Sequence, residues 1–349
     1  MAYVPILKGK AGEFLALGHA SQEVQEQIRP VMEVVPDFDL RDLLETFCDH
    51  AMEHVPNGMV LTVDCGALPF VRVLEGDVGG PVLRVGESLI QRGIAMRPVF
   101  RCTDPGDALV EIARVAEAHQ NGACLRLTTA VDLSDVPHDN RQMRDLLRRV
   151  RLAPEEIDLL VDAGPVRSTH ARKFLVEGVI GVLSSIARWP WRAVCVAAGA
   201  FPVNLAGFPR GVATAVARED ANLWLEVAER WGGPQPDFGD FGVTYPRVQP
   251  KSRGTPDPNM RYTTGTEWQV YVYPRLRTGN DDFFVLSQDL VSSTHWPATG
   301  ASTSWGDERL AECAQRQRRK AGGGTEWRAW GTSHHLAVVT NHLATVGRP

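Results

Sequence analysis

No basic stretch followed by an apolar core opens this sequence, so no secretory leader is expected. The longest apolar run, Phe174 to Ala187, is broken by Glu177 and falls short of the ~18 residues needed to cross a bilayer, so no membrane association is expected. Cysteine is sparse. Cys48, Cys65, Cys102, Cys124, Cys195 and Cys313 stand singly with no Cys-x-x-Cys pair, and four of them fall in or beside apolar runs. That usage points to buried thiols in a reducing, cytoplasmic compartment, away from zinc ribbons and disulfide frameworks. A strong charge of either sign is missing too. The net charge of −5 supplies no global attraction for nucleic acid or anionic lipid, so any such contact needs a local basic patch. There is no early Gly-x-Gly-x-x-Gly turn of the open, doubly wound dinucleotide folds. No His-x-His closes the first apolar run, which excludes an amidohydrolase-type metal centre.

What is present is a repeated strand-then-helix unit. Tyr3 to Lys10 reads as a strand that runs into a helix over residues 11–17 and delivers Lys8 at the junction. The unit recurs at Ile28 to Pro36, Gly58 to Gly66, Ile94 to Arg101, Ala123 to Thr128, Ile157 to Asp162, Arg192 to Gly199 and Asp237 to Tyr245. Helical spacing separates these runs, for example Leu109, Ile112, Ala113 and Ala116 on one face of Asp104 to Gln120. Pro98 within the fourth run calls for a bulge or a strand end, because proline donates nothing to a ladder. About eight strands alternating with helices predict a parallel sheet. Eight is also the number that closes a (β/α)8 TIM-like barrel of ~250 residues. The alternative is an open doubly wound sheet.

The division expected from this pattern is a barrel core over residues 1–246, an insertion or lid over the mouth at 247–304, and C-terminal helices at 305–349 that pack on the barrel. In the insertion, Arg247 to Thr266 reads as loop, and Trp268 to Tyr273 and Phe283 to Leu286 read as a strand pair. Ser304 to Lys320 and Ser333 to Val346 read as helices, and one of them can be the eighth helix of the barrel.

In a barrel the carboxyl ends of the strands converge on one mouth. Lys8, Glu33, Asp64, Arg101, Arg126, Asp162 and Asp240 are therefore a candidate ring of charges. Glu33, Asp64 and Asp162 are candidates for acid–base chemistry or for holding a divalent metal, with Lys8 a fourth candidate catalytic group. Lys10, Arg101 and Arg126 are candidate charge clamps. The turns at Gly199 and at Gly239-Asp240, with Arg210 nearby, are candidate phosphate-binding backbone; the alternative is that glycine there only permits tight turns. In the insertion, Lys251, Arg253, Arg261, Arg275 and Arg277 interleave with Tyr262, Trp268, Tyr271 and Tyr273, which suits either nucleic-acid contact or an ordinary packed lid. The run Gln315 to Lys320 suits a basic helix end. Of His334, His335 and His342, only the last two can share a helix face, and a core or surface role competes with a metal site.

Several of these stretches together resemble one family. Tyr3-Val4-Pro5-Ile6-Leu7-Lys8-Gly9-Lys10 with Glu13 and Ala16-Leu17, Pro30-Val31-Met32-Glu33, Arg261-Tyr262 before Trp268, Gly306-Asp307, and Trp330 with His334-His335-Leu336 resemble the beta family proteins of phages and bacteria. The resemblance implies a setting of mobile elements and phage–host conflict, supplies no catalytic set, and marks Lys8, Lys10, Glu33, Asp307 and His335 for testing. Two expectations follow. One is a barrel that binds or hydrolyses a nucleotide or nucleic acid through its phosphates. The other is a non-catalytic component of an antiphage defence system that engages nucleic acid or a protein partner.

Overall fold

The computed structural model describes residues 1–36, 40–69, 79–128, 140–248, 257–275 and 280–349. Seven parallel strands follow one another around a barrel: β1 (Tyr3–Leu7), β2 (Val31–Glu33), β3 (Leu61–Asp64), β4 (Met96–Phe100), β5 (Ala123–Thr128), β6 (Ile157–Pro165) and β7 (Ala193–Gly199). The next strand, β8 (Ala213–Ala217), leaves the barrel for a second sheet. The strand after it, β9 (Asp237–Asp240), closes the ring by pairing its Phe238 with Tyr3 and its Asp240 with Pro5 of β1. The expected (β/α)8 architecture is the one observed. Pro98 lies in the middle of β4, opposite Val63.

Outside the strands run α1 (Ala11–Gly18), the short α2 (Gln22–Gln27), α3 (Leu40–His54), α4 (Pro81–Gln91), α5 (Gly106–His119), α6 (Asn140–Val150), α7 (Thr169–Ile186) and α8 (Glu219–Arg230). Their starts carry local signals. Pro81 occupies the first turn of α4, and the Ser168 hydroxyl accepts from the Ala171 amide (3.2 Å) at the start of α7. The apolar stripe Leu109, Ile112, Ala113 and Ala116 of α5 is buried against the sheet.

After β9 the chain makes an excursion before the barrel is finished. β10 (Asn259–Thr263) and β11 (Glu267–Val272) pair antiparallel, and β8 adds to the other edge of β11. α9 (Asp282–Val291) and α10 (Trp305–Ala314) follow, and α11 (Gly324–Val346) then packs on β1, α1 and α2. α11 therefore fills the eighth helix position, with Leu336, Val339 and Leu343 in the main core. Phe201, Val243, Trp268, Val270 and Val272 form an apolar cluster that joins the three-stranded sheet to the loops after β7 and β9.

Four expectations change here. Phe283 to Leu286 lie on a helix, where Phe283, Phe284, Leu286 and Leu290 are buried; a run of four apolar residues is too short to separate the two periods. The stretch expected to be loop up to Thr266 contains β10. The last helix begins at Gly324, nine residues before Ser333, with the Gly323 amide bound to the Glu326 carboxylate (2.9 Å). Gln315 to Lys320 lie beyond the end of α10, where Arg316 covers the Phe284 ring and Arg318 pairs with Glu312.

Candidate functional site

Successive strand residues point to opposite faces, so the inward set follows from period two. Val4, Ile6, Val31, Val99, Cys124, Leu160, Cys195 and Ala197 fill the barrel interior together with Phe241. Two residues beyond the inward position of each strand stand Lys8, Glu33, Asp64, Arg101, Arg126, Asp162, Gly199 and Phe241. These eight form the top layer, at the C-terminal mouth.

Six of the eight are charged and joined. Lys8 Nζ donates to Glu33 Oε2 at 2.5 Å and also to the Pro246 carbonyl. Arg126 sits at the centre: Nη1 reaches Glu33 Oε1 at 2.8 Å and Asp64 Oδ2 at 2.6 Å, while Nη2 and Nε reach Asp162 Oδ2 at 2.6 and 3.0 Å. Arg101 clamps Asp64 through two bonds of 2.9 and 2.7 Å. The Gly66 amide also donates to Asp64 Oδ1 and the Gly164 amide donates to the remaining oxygen of Asp162, both at 2.8 Å. Burial raises the proton affinity of Asp64, but Arg101 and Arg126 outweigh it and hold this carboxyl well below the usual range. Burial likewise opposes the charge on Arg126, and Asp162, Glu33 and Asp64 overcome it. Three cations thus balance three anions, with Phe241 lying under the Lys8 and Arg126 charges (5.1 and 5.7 Å to its ring centre).

The other expected site residues are placed differently. A side chain at Gly199 would strike Pro246 and Phe241, and one at Gly239 would strike Ala197 and Cys195, so both glycines make room for packing inside the barrel. Asp240 points outward by the same period of two that turns Phe241 inward. Its carboxylate is buried and takes bonds from Tyr3 (2.6 Å), the Gly242 amide (2.9 Å), Arg218 (3.3 Å) and His335 (2.9 Å). Burial raises its proton affinity, yet His335, Arg218 and Tyr3 hold its pKa down at about 2. Arg210 is exposed and binds the Phe208 carbonyl and Asp257. Lys251, Arg253 and Arg277 lie outside the described residues. Tyr262, Trp268, Tyr271 and Tyr273 are buried, so their faces pack in the insertion and are closed to base stacking. His334 and His335 are buried as well. His334 bridges Asp307 (2.9 Å) and the Thr263 carbonyl (2.7 Å), and His335 bridges Asp240 and the Thr263 hydroxyl (2.7 Å). This chain of bonds ties the insertion to the barrel.

Above the balanced layer opens a cleft of about 390 Å³, and here the charge is not balanced. Besides Lys8, already paired with Glu33, it is lined by Lys10, Arg247, Arg261 and Arg328, against one carboxylate, Glu13, among the described residues. The first turns of α1 and α11 meet at its wall through Gly12, where a Cβ would lie 2.8 Å from the Thr325 carbonyl. Both helices thus aim the positive ends of their dipoles at the cleft. Arg261 and Arg328 share one acceptor, the Val243 carbonyl (2.6 and 3.3 Å), and Arg261 lies over the Phe201 ring at 4.5 Å. Burial, then Arg328, pushes Arg261 well below the ordinary arginine value, and burial lowers Arg328 too. Arg261 Nε is buried without a hydrogen-bond partner. Across Tyr245 and Arg247 the cleft adjoins a second depression of about 730 Å³ at the start of α7. Arg328 and Arg247 were not singled out from the sequence. The Gly-Gly-Gly-Thr-Glu run before Arg328 was the available signal for a helix start that would aim it at the mouth.

The closed eight-stranded parallel barrel, ringed by helices and with its charged layer at the carboxyl ends of the strands, defines a TIM-barrel-like protein. The family model described as Beta protein matches residues 3–341, and the chain belongs to that family. No curated protein sequence matches it. Among solved structures it is similar to a type I 3-dehydroquinate dehydratase from Clostridium difficile (10% identity, TM-score 0.39, covering 70% of this chain and 87% of that one). It is also similar to an alanine racemase from Clostridium difficile 630 (8% identity, TM-score 0.34, covering 95% and 86%). At such scores the similarity carries nothing about chemistry. No helix among the described residues is long and apolar enough to cross a membrane.

Proposed function

We propose that the protein binds a phosphate-containing ligand, a nucleotide or an end of a nucleic acid, in the cleft over its barrel mouth. The observation that carries this reading is the convergence of Lys10, Arg247, Arg261, Arg328 and two helix N-termini on a cleft with one carboxylate among the described residues. A phosphate would relieve the repulsion between Arg261 and Arg328. The neighbouring depression beside Tyr245 leaves room for the rest of a nucleotide. Such a ligand suits the mobile-element and antiphage setting that the family resemblance implies, within the cytoplasm.

Geometry favours binding over hydrolysis. The carboxylates of Glu33, Asp64 and Asp162 are engaged by Lys8, Arg101 and Arg126, which leaves no pair poised to receive a proton or a divalent metal. They form the rigid floor on which the anion cleft is built. A protein partner from a defence system remains a second role for the same surface only if it presents a phosphate or carboxylate there. The test is a thermal-shift panel at low salt with inorganic phosphate, pyrophosphate, nucleoside mono- and triphosphates and a short single-stranded RNA, paired with a phosphate-release assay. Stabilisation by phosphate compounds, without turnover, is expected. Stabilisation by none of them sinks the proposal, and phosphate release that depends on Glu33 restores a catalytic reading.

A further inference from the structure

We propose that His50, Glu53 and His54 form a binding site for a late first-row divalent cation of the zinc class, on the face of the barrel opposite the mouth. The three lie at the C-terminal end of α3, which descends along the outside of the barrel and delivers the chain to the start of β3. At 100° per residue, positions i, i+3 and i+4 fall within one third of the helix circumference, so all three side chains share a face. One donor atom from each is within 4.8 Å of the others. Metal–ligand distances of ~2.0–2.2 Å therefore need only small rotamer adjustments to bring all three onto one ion.

The surroundings hold the histidines in place. The His50 ring packs on Phe14 (5.9 Å between ring centres) and lies nearly parallel to His54 (6.3 Å, 21°). Gly18 lets α1 approach the end of α3 closely, since a Cβ there would lie 2.8 Å from the His54 carbonyl. The neighbouring His19 of the α1 end is stacked flat on Trp305 (4.2 Å, 5°). Two imidazoles four residues apart on a helix, with a carboxylate, are the donor set that suits zinc, nickel or copper over magnesium or calcium. None of these residues touches the anion cleft, so the proposal stands or falls independently of the proposed function.

The tag-free full chain, stripped with a chelator and dialysed, is titrated with CoCl2 followed by visible absorption, and with ZnCl2 by calorimetry. One equivalent of cobalt giving d–d bands that zinc abolishes is the expected result. His50→Ala, His54→Ala and Glu53→Ala should each weaken zinc by more than the ~10–100-fold typical of an outer-shell change. Melting curves establish that the variants are folded, and His54→Gln replaces any that is not. Failure of the wild type to take up either metal, or equal affinity in the His50→Ala/His54→Ala double variant, overturns the site.

Discussion

Arg126 is the one group that Glu33, Asp64 and Asp162 share, so Arg126→Met is the sharpest probe of the charged layer. Methionine keeps most of the volume, which leaves electrostatics as the main change. Lys8 and Arg101 still offset two of the three carboxylates, so one buried negative charge loses its partner. Breaking a buried pair from one side costs about 3–5 kcal/mol. For 349 residues the unfolding entropy is ~0.7 kcal/mol/K, so 1 kcal/mol moves the melting temperature by ~1.4 °C, which gives a drop of roughly 4–7 °C at pH 7. The pH dependence separates this cause from simple loss of packing. In the wild type Asp64 holds its proton less tightly folded than unfolded, so its contribution is complete above the ordinary carboxylate pKa of ~4 and is lost as pH falls below it. Without Arg126, burial raises the folded-state proton affinity of the layer above the unfolded value, and the sign reverses. The variant should regain more stability than the wild type as pH falls from 7 to 5. Thermal melts at several pH values read this directly. A loss below ~2 °C at pH 7, or parallel pH profiles for the two proteins, would refute the reasoning.

Three further outcomes are expected. Gly12→Val forces a side chain against the Thr325 carbonyl, so it should cost about 1–3 kcal/mol in urea unfolding and weaken anion binding in the cleft. Asp220 is buried with no hydrogen-bond partner for its carboxylate oxygens; burial and then Asp240, against the pull of Arg218, push its pKa up to about 7. The folded protein then binds more protons than the unfolded chain between pH ~4 and 7, and stability should fall as pH rises through that window. Asp220→Asn should remove that slope, giving a larger gain in melting temperature at pH 8 than at pH 5; equal gains at both would count against it. Asp240→Ala should leave Arg218 and His335 buried without their carboxylate, with a loss of about 3–5 kcal/mol by denaturant unfolding, even though Asp240 lies outside the mouth.

Much of the barrel could be read from the chain because short apolar runs recur between helical stretches, and charges at the carboxyl ends of parallel strands must stand at one mouth. That rule placed Lys8, Glu33, Asp64, Arg101, Arg126 and Asp162 together. It misled at the last strand, where Gly239 interrupts the alternation and phenylalanines at 238 and 241 leave the inward face ambiguous; Asp240 belongs to the outer layer. β8 escaped notice because its partner β11 lies far along the chain, and local composition carries no trace of that pairing; β10 neighbours β11 in sequence, but its mostly polar run from Asn259 to Thr263 reads as loop. The anion cleft was only partly legible for the same reason. Lys10, Arg261 and Arg328 come from two chain ends and an insertion, and only the packing of α1 on α11 unites them.

The proposed anion site in the cleft over the mouth is built by Arg261 and Arg328. Titration of the wild type with inorganic pyrophosphate by calorimetry, repeated at increasing salt, tests it most directly. Saturable binding at a single site that weakens with salt is predicted. Arg261→Gln and Arg328→Gln should each lose about tenfold or more, as expected for a charge-assisted bond of ~1.5–3 kcal/mol. Absence of binding at low salt, or undiminished affinity in the double variant, would contradict it.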